Sequence, residues 1–332
     1  MTVARRGRVG IADVAARAGV SVTTVSHVLS SRRPVAEATR AKVLEVIAEL
    51  DYRPNEMARG MRSQRTSAIA LLVPDLSHPF HTSAARGLQD AVRPKGYHCI
   101  VSATDGDGDV ERDLIRQLMT RVDGMVIAGA EPGIVAVQPL IDAEVPLVLL
   151  GADIPGPGFD VVTNADYDAG AMAAHHLVDQ GRRRIGFITG SQDFGGPARR
   201  VEGYRSAVER ADPALVIRSD GSLEGGARCM ARLLDAAEPP DAVICISDVV
   251  AIGALYAARD RSVAVPEDLA VIGFDDIEAA ALVTPPLTTM ATSSREHGAA
   301  AGELLLRRID SAEQVEPRRV VFPATLVRRQ SA

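Results

Sequence analysis

The chain has 332 residues, of which 46% are hydrophobic and 24% charged, so it can form two or three domains of an ordinary globular protein. No apolar stretch of secretory-signal length follows the basic N-terminal residues, and the longest apolar runs are too short to span a bilayer, which predicts a cytoplasmic protein with no membrane partner. The formal net charge of -6 combines an acidic remainder with a basic segment, residues 1–65, which has 12 Lys and Arg against 6 Asp and Glu and suggests a polyanionic partner.

Helical periodicity without strand signals occupies residues 1–52. The first predicted helix has an apolar face of Ile11, Val14, Ala15 and Ala18, and Gly19 follows as a helix-ending residue. Ser21 is a candidate N-cap for a second helix over about 22–29. A third helix lies in EATRAKVLEVIAEL, where Val43, Ile47 and Leu50 recur at helical spacing. These segments predict a small all-α head.

The second predicted helix has a face of short polar side chains. Ala15, Gly19 and Val25 fit the helix-turn-helix spacing A-x3-G-x5-V, although this spacing recurs in other helical proteins. In a helix-turn-helix the second helix enters the major groove. We therefore assign Ser21, Thr24 and Ser26 to phosphates, and Val22, Thr23 and His27 to base edges. The alternative is that these residues are caps and solvated positions on a basic surface.

A short basic segment, YRPNEMARGMRSQRT, joins the head to the rest of the chain. Pro54 ends the third helix, Asn55 can cap another, and residues 56–62 could form barely two helical turns. So short a helix, containing Gly60, needs a partner to stay folded. The arginines of the segment, Arg53, Arg59, Arg62 and Arg65, indicate the phosphate backbone as that partner. A flexible basic linker is the alternative.

Beyond Arg65, short apolar runs alternate with helix-sized amphipathic segments. The runs are SAIALLV, YHCIVSA, DGMVIAG, PLVLLG, RRIGFITG, DAVICIS and LAVIGF. Continuous runs of this kind predict parallel strands covered by helices on both faces. About ten candidate strands are too many for one typical sheet, so we expect two doubly wound sheets, with a ligand cleft at the carboxyl ends of their strands.

Several motifs together resemble the lactose/galactose repressor (LacI/GalR) family of bacterial transcription regulators over essentially the whole chain. They include IADVAARAGVSVTTVSHVLS, VPDLSHPF, RVEGYRSAV, SDVVAIGAL and VIGFDDIEAA. The resemblance implies a small all-α helix-turn-helix head and an α/β periplasmic-binding-protein-like body of two doubly wound parallel-sheet subdomains. Its implied boundaries are 1–52 for the head, 53–65 for a hinge helix and linker, and 66–332 for the body. Within the body, the N-subdomain takes about 66–162 and 295–322, and the C-subdomain about 163–294 and 323–332.

The resemblance also implies how the head contacts DNA. Paired hinge helices of a dimer open the minor groove, and Met61 matches the position of an apolar wedge that is usually leucine. The DNA-contacting hinge positions are Asn55, Met57, Ala58, Met61 and Arg62. His27 replaces a common arginine, which predicts an altered base preference, and Arg32 and Arg33 in the following loop are candidates to compensate.

The effector-contacting positions of the family correspond to Phe80, His81, Arg200, Ser247 and Asp275. A surface location is the alternative for Arg200. His81 and Gly221 stand where aromatic residues are common, so a carbohydrate effector is one candidate but no sugar is named. We expect Asp166 to cap the helix that carries His175 and His176. No third ligand accompanies His78 and His81, and the three cysteines lack metal-ligand spacing, so no metal or cofactor is expected.

The predicted function is that of an allosteric, homodimeric repressor of a pseudo-palindromic operator in double-stranded DNA, controlled by a small molecule between the subdomains. An alternative keeps the family but replaces the small molecule by a protein partner, or by no ligand. An enzyme is disfavoured because the sequence has no G-x-G-x-x-G, G-x4-G-K-[ST] or G-x-S-x-G motif. A secreted solute-binding protein would have no use for the basic head.

Overall fold

The computed structural model describes residues 9–30, 33–52, 65–129, 136–151, 158–191, 194–311 and 315–332, apart from the side chain of Ser30. Its internal contacts divide the chain into two units, Met1–Thr66 and Ser67–Ala332. Among the described residues, no helix combines the length and the apolar character needed to cross a membrane.

Three helices form the head: α1 (Ile11–Ala18), α2 (Val22–Ser30) and α3 (Glu37–Glu49). Val14, Val25 and Val43, one from each helix, are fully buried at the centre of its core. Gly19 has φ 68°, the left-handed conformation that ends α1 and turns the chain toward α2. The predicted all-α head is therefore confirmed, and its second helix runs one residue beyond the expected 22–29.

The body contains two six-stranded sheets. The strands of the first sheet are β1 (Ala68–Val73), β2 (His98–Ala103), β3 (Met125–Ala128), β4 (Leu147–Leu150), β5 (Asp160–Asn164) and β11 (Arg319–Phe322). They are parallel and lie in the order β11-β5-β4-β3-β1-β2. Ile69 and Leu71 pack on one face of this sheet, and Ala70 and Leu72 pack on the other. Burial on both faces explains why the sequence of β1 is an uninterrupted apolar run.

The second sheet repeats this plan with one exception. Its strands are β6 (Ile185–Thr189), β7 (Val216–Arg218), β8 (Ala242–Cys245), β9 (Ala270–Asp275), β10 (Thr288–Ala291) and β12 (Thr325–Val327). Their order is β12-β10-β9-β8-β6-β7, and the edge strand β12 runs antiparallel to β10. The expectation of two doubly wound parallel sheets is confirmed apart from that edge strand.

Helices cover the faces of both sheets. They are α4 (Pro79–Val92), α5 (Gly108–Leu118), α6 (Gln138–Asp142), α7 (Asp166–Asp179), α8 (Gly195–Ala207), α9 (Leu223–Leu234), α10 (Asp248–Asp260), α11 (Glu278–Leu282) and α12 (Ser294–Asp310). The pairs α4/α12, α7/α8 and α9/α10 approach closely through glycines. A Cβ atom at Gly203 of α8, for example, would lie 1.9 Å from the carbonyl oxygen of Tyr167 on α7. Only a residue without a side chain fits such contacts.

The chain passes between the two sheets three times. The passages follow β5 at Ala165, follow β10 at residues 292–293, and join β11 to β12 through residues 323–324. Since β5, β10 and β11 all end at a passage, the carboxyl edges of the two sheets lie next to these three connections. Ligands of open α/β sheets bind at such edges, and the loops that leave them carry the candidate site.

Candidate functional site

The start of α2 is fixed by its own side chains. The Ser21 hydroxyl accepts a hydrogen bond from the backbone N–H of Thr24 at 3.0 Å and lies 2.8 Å from the Thr24 hydroxyl. This geometry confirms Ser21 as the N-cap. The cap uses one lone pair of the Ser21 oxygen. When Thr24 donates in the contact between the two hydroxyls, the hydroxyl hydrogen of Ser21 is left to donate to another acceptor.

The two faces of α2 differ in burial as the sequence predicts. Val25 and Val28 are buried in the core of the head, whereas Val22 is 37% exposed and Thr23 is also exposed. Ser26 and His27 are half-buried. An exposed valine beside a threonine at the start of a helix offers a methyl surface and a hydroxyl, both of which can read base edges.

Other predicted DNA contacts divide between described and undescribed parts of the chain. Arg33 is exposed before α3 begins. Arg32 and the hinge positions Asn55, Met57, Ala58, Met61 and Arg62 lie outside the described residues, as does the proposed wedge.

In the body, Arg200 on α8 is only 9% exposed. The alternative that Arg200 is a surface residue is therefore wrong. Its Nε donates to Asp166 Oδ1 at 2.7 Å, and its Nη1 donates to the carbonyl oxygen of Ile246 at 2.8 Å. The guanidinium carbon lies 4.4 Å from the centroid of the Phe274 ring. Arg200 thus contacts the residues that immediately precede Ser247 and Asp275.

The expectation that Asp166 caps its helix is wrong. The N-cap of α7 is Ala165, no side chain caps it, and Asp166 stands in the first turn. Its buried carboxylate pairs with Arg200 instead. A buried guanidinium requires an opposite charge beside it. The position of the Asp166 side chain is therefore set by Arg200, a residue distant in sequence, and not by its own helix start.

Ser247 caps α10 by accepting from Val250 N at 3.4 Å. The next residue, Asp248, is fully buried; it accepts from the Thr289 hydroxyl at 2.6 Å and from Ile277 N at 2.9 Å. Burial raises the pKa of Asp248 to about 8, and the nearby charge of Asp275 adds to this rise. Asp248 therefore supports the turn that follows β9.

That turn has an unusual backbone. Asp275 has φ 106° and Asp276 has φ 57°, both in the region that residues with side chains rarely adopt. Asp275 Oδ1 accepts from the Thr292 hydroxyl at 3.3 Å, and Asp276 pairs with Arg329 at 2.6 Å. The turn places the Asp275 carboxylate at the carboxyl edge of β9.

The first turn of α4 faces Asp275 from the other sheet. His78 caps α4 because its Nδ1 accepts from Phe80 N at 3.3 Å, and its Nε2 lies 4.0 Å from Asp275 Oδ2. The Phe80 ring meets the His81 ring edge-on at 5.7 Å. His81 Nδ1 lies 2.8 Å from the carbonyl oxygen of Asp75, and burial lowers the pKa of His81.

The five predicted body residues lie on elements next to the carboxyl ends of both sheets. Phe80 and His81 are in the first turn of α4, which follows β1, while Arg200, Ser247 and Asp275 belong to elements of the second sheet. The contact between His78 and Asp275 links the two sets. The neighbourhood also includes four residues that were not predicted to belong to it: His78, Asp166, Asp248 and Phe274. The position of His78 before a proline at a helix start was the available signal for a cap. Among the residues that the structure describes, no three His, Cys, Asp or Glu side chains are arranged to hold a metal ion.

Gly221, where an aromatic residue is common in the family, has φ 84°. An aromatic side chain there would strain the backbone, so the loop after β7 has a conformation suited to glycine.

Comparison with known proteins shows what this architecture is similar to. The family model described as bacterial regulatory proteins, lacI family, matches residues 10–55, and that described as periplasmic binding protein-like domain matches residues 174–332. The HTH-type transcriptional regulator DegA of Bacillus subtilis is 35% identical, with 97% of each chain covered. The ribose operon repressor of Escherichia coli is also 35% identical, covering 96% of this chain and 98% of the relative.

A solved structure of the same organisation is the complex of the transcriptional regulator CelR with cellobiose. It is 32% identical, has a TM-score of 0.75, and covers 98% of this chain and 100% of its own. In the two relatives and in the CelR structure, the matched region covers both the head and the body of this chain. The chain belongs to the LacI family of bacterial regulatory proteins.

Proposed function

We propose that the protein is a sequence-specific DNA-binding transcription regulator that acts as a repressor under the allosteric control of a small molecule. The observation that carries the proposal is the exposed Val22 and Thr23 face of α2, held on a packed three-helix head in one chain with a two-sheet body. Relatives named as a transcriptional regulator and as a repressor support the same reading.

In the proposed complex, Ser21, Thr24 and Ser26 bind phosphates, and Val22, Thr23 and His27 face base edges. The Ser21 hydroxyl can hold the cap and still donate to a phosphate oxygen. Arg32, Arg33 and the hinge positions Asn55, Met57, Ala58, Met61 and Arg62 complete the proposed DNA contacts. These roles imply the division of the chain into 1–52, 53–65 and 66–332.

Operator recognition implies a homodimer, because two heads related by a two-fold axis match a pseudo-palindromic operator. A regulator of this kind works where the DNA is, and we place it in the cytoplasm. The effector binds between the two sheets at Phe80, His81, Arg200, Ser247 and Asp275. Its binding shifts the relative orientation of the subdomains, with a coupling free energy of about 1–3 kcal/mol.

The test is footprinting of the full-length protein on the DNA around its own locus. We expect a protected pseudo-palindrome. Thr23→Ala should change the preference at one base pair, whereas Arg62→Ala should weaken binding evenly across sequences. Thr39→Ala on α3 is the matched control and should leave the preference unchanged. No protected site, or equal losses on operator and random DNA for both variants, would contradict the proposal.

The alternative regulator, which responds to a protein partner or to no ligand, gives a different result in the same assay. It protects the operator, but no sugar, polyol, nucleobase or sugar phosphate changes the protection.

A further inference from the structure

The closest ionisable pair between the first turn of α4 and the end of β9 is separated by a distance that suits a third group. His78 Nε2 and Asp275 Oδ2 are 4.0 Å apart. A direct N–H···O hydrogen bond spans about 2.7–3.2 Å, so this pair is too far apart to form one. If one oxygen atom lay about 2.8 Å from both His78 Nε2 and Asp275 Oδ2, the angle at that oxygen between the two atoms would be about 90°, which a hydroxyl tolerates.

The hydrogen-bonding roles of the two groups are fixed by their surroundings. His78 Nδ1 accepts from Phe80 N, which puts the imidazole proton on Nε2 and makes that atom a donor. Asp275 offers a carboxylate, and its other oxygen accepts from Thr292. The pair therefore presents one donor and one acceptor, a combination that a hydroxyl satisfies because it accepts and donates at once.

Charged ligands satisfy this pair less well. An ammonium has no lone pair for the His78 N–H. A phosphate or carboxylate would place a negative charge against Asp275, which has no cationic side chain paired with it among the described residues other than His78 at 4.0 Å. The geometry alone thus selects an uncharged polar group.

The loops around this pair strengthen the selection against anions. Within the described parts of the loops that leave the carboxyl ends of β1 to β10, the acidic residues are Asp75, Asp105, Asp107, Asp220 and Asp276, and there is no Lys or Arg. In the sequence, the stretches 130–135, 152–157 and 192–193, which lie outside the described residues, also contain no Lys or Arg. Loops that carry carboxylates and no basic side chain of their own disfavour anionic ligands.

Four arginines that contact residues at these strand ends already have partners. Arg200 pairs with Asp166, Arg329 with Asp276 and Arg228 with Asp220, while Arg218 donates to the carbonyl oxygen of Ser191. His81 adds no cation at neutral pH, because burial lowers its pKa. An anionic effector would have to compete with a carboxylate for Arg200, Arg228 and Arg329, and with a backbone carbonyl for Arg218.

We infer that His78 and Asp275 together bind one hydroxyl of an uncharged, polyhydroxylated effector. His78 is then a specificity-determining residue that donates to this hydroxyl, and the Asp275 carboxylate disfavours acidic and phosphorylated analogues. The inference rests on the proposed ligand control of this protein and names the chemistry of its ligand.

The test uses the full chain and compounds that share a ring and differ in charge. D-glucose is compared with D-glucosamine, D-glucuronate and D-glucose 6-phosphate, and D-ribose with D-ribose 5-phosphate; cellobiose is added. Thermal-shift and calorimetric titrations should detect binding of at least one uncharged sugar, with its charged counterparts at least tenfold weaker.

His78→Asn tests the residue itself. Asn is a good N-cap and can still accept from Phe80 N, so the variant should fold and melt like the wild type while its affinity for the uncharged sugar falls about tenfold. His175→Asn, an exposed histidine on α7, is the matched control and should bind normally.

Three results would overturn the inference: no uncharged sugar of the set binds, a charged analogue binds as tightly as its uncharged counterpart, or folded His78→Asn binds like the wild type. Operator protection measured on the same preparations separates this outcome from a failure of the proposed function. If the protein still protects the operator but binds none of the sugars, the inference about the effector is rejected and the proposed DNA-binding function stands. If it neither protects the operator nor binds a sugar, both the inference and the proposed function are rejected.

Discussion

Replacing Asp248 by asparagine removes a carboxyl group that the folded protein keeps protonated at pH values where the same group is ionised in water. Asp248 is fully buried at the start of α10, bonded to Thr289 and Ile277 and close to Asp275. Burial raises its pKa to about 8, far above the value of an aspartate in an unfolded chain. The folded protein therefore keeps this proton at pH values where the unfolded chain has lost it.

The sign and size of the effect follow from proton linkage. The stabilisation by the protonated group is complete below about pH 4 and is lost as the pH rises toward 8. Each pH unit in this window lowers the free energy of unfolding by about 1.4 kcal/mol, which gives about 2.7 kcal/mol between pH 5 and pH 7. The asparagine side chain does not titrate in this range, so it adds no pH dependence to the free energy of unfolding.

Urea unfolding of wild type and Asp248→Asn at pH 5, 6 and 7 measures this difference. We expect the free energy of unfolding of the wild type, relative to the variant, to fall by about 2.7 kcal/mol over the two units. Titrations common to both proteins cancel in the comparison. Asp260→Asn, an exposed change at the other end of the same helix, controls for the loss of a carboxylate. A constant difference between wild type and Asp248→Asn across the three pH values would refute the reasoning.

Three further changes test the packing described above. Ser21→Ala removes the cap of α2 and should lower the free energy of unfolding of the head by about 1 kcal/mol; unchanged melting of the helical circular dichroism would speak against the cap. Asp166→Asn leaves the buried guanidinium of Arg200 without its counter-charge and should cost about 3–5 kcal/mol in urea unfolding. Adding Arg200→Met should recover part of that loss, and no recovery would argue against the ion pair. Gly203→Ala forces a Cβ to within 1.9 Å of a carbonyl oxygen on the facing helix and should cost about 1–3 kcal/mol. Gly190→Ala, with no described heavy atom within 4 Å of its Cβ position, should change stability by less than about 0.5 kcal/mol; equal losses would contradict the close helix contact.

The sheets were largely predictable because their central strands are buried on both faces. All seven apolar runs named from the sequence are strands, and they include β1, β6 and β8. The sequence signal was weakest for β7 and β12, which have three residues each and lie at sheet edges. An edge strand pairs on one side only and is partly exposed, so it needs no continuous apolar run.

The candidate site was predictable only where a residue acts through its own local motif. Ser21 could be identified as a cap because capping is a short-range interaction between neighbours in sequence. The partner of Arg200 could not, because Asp166 lies 34 residues away and its local setting at a helix start favoured a capping role. His78 was missed for the same reason: its relation to Asp275 exists only after two sheets have been assembled.

In the proposed mechanism, the placement of His78 beside the first sheet and of Asp275 on the second would connect ligand specificity to control of DNA binding. A ligand shifts the orientation of two subdomains only if it binds one orientation more tightly than the other. A hydroxyl that bonds to both residues requires them at one separation, whereas a ligand that touches a single sheet is bound equally in every orientation and shifts nothing. The net worth of a hydrogen bond to a charged group, about 1.5–3 kcal/mol, is of the size of a typical allosteric coupling free energy. In the proposed mechanism, one bridging hydroxyl would therefore supply most of the coupling free energy, and the pair that disfavours charged analogues would also make an uncharged ligand effective.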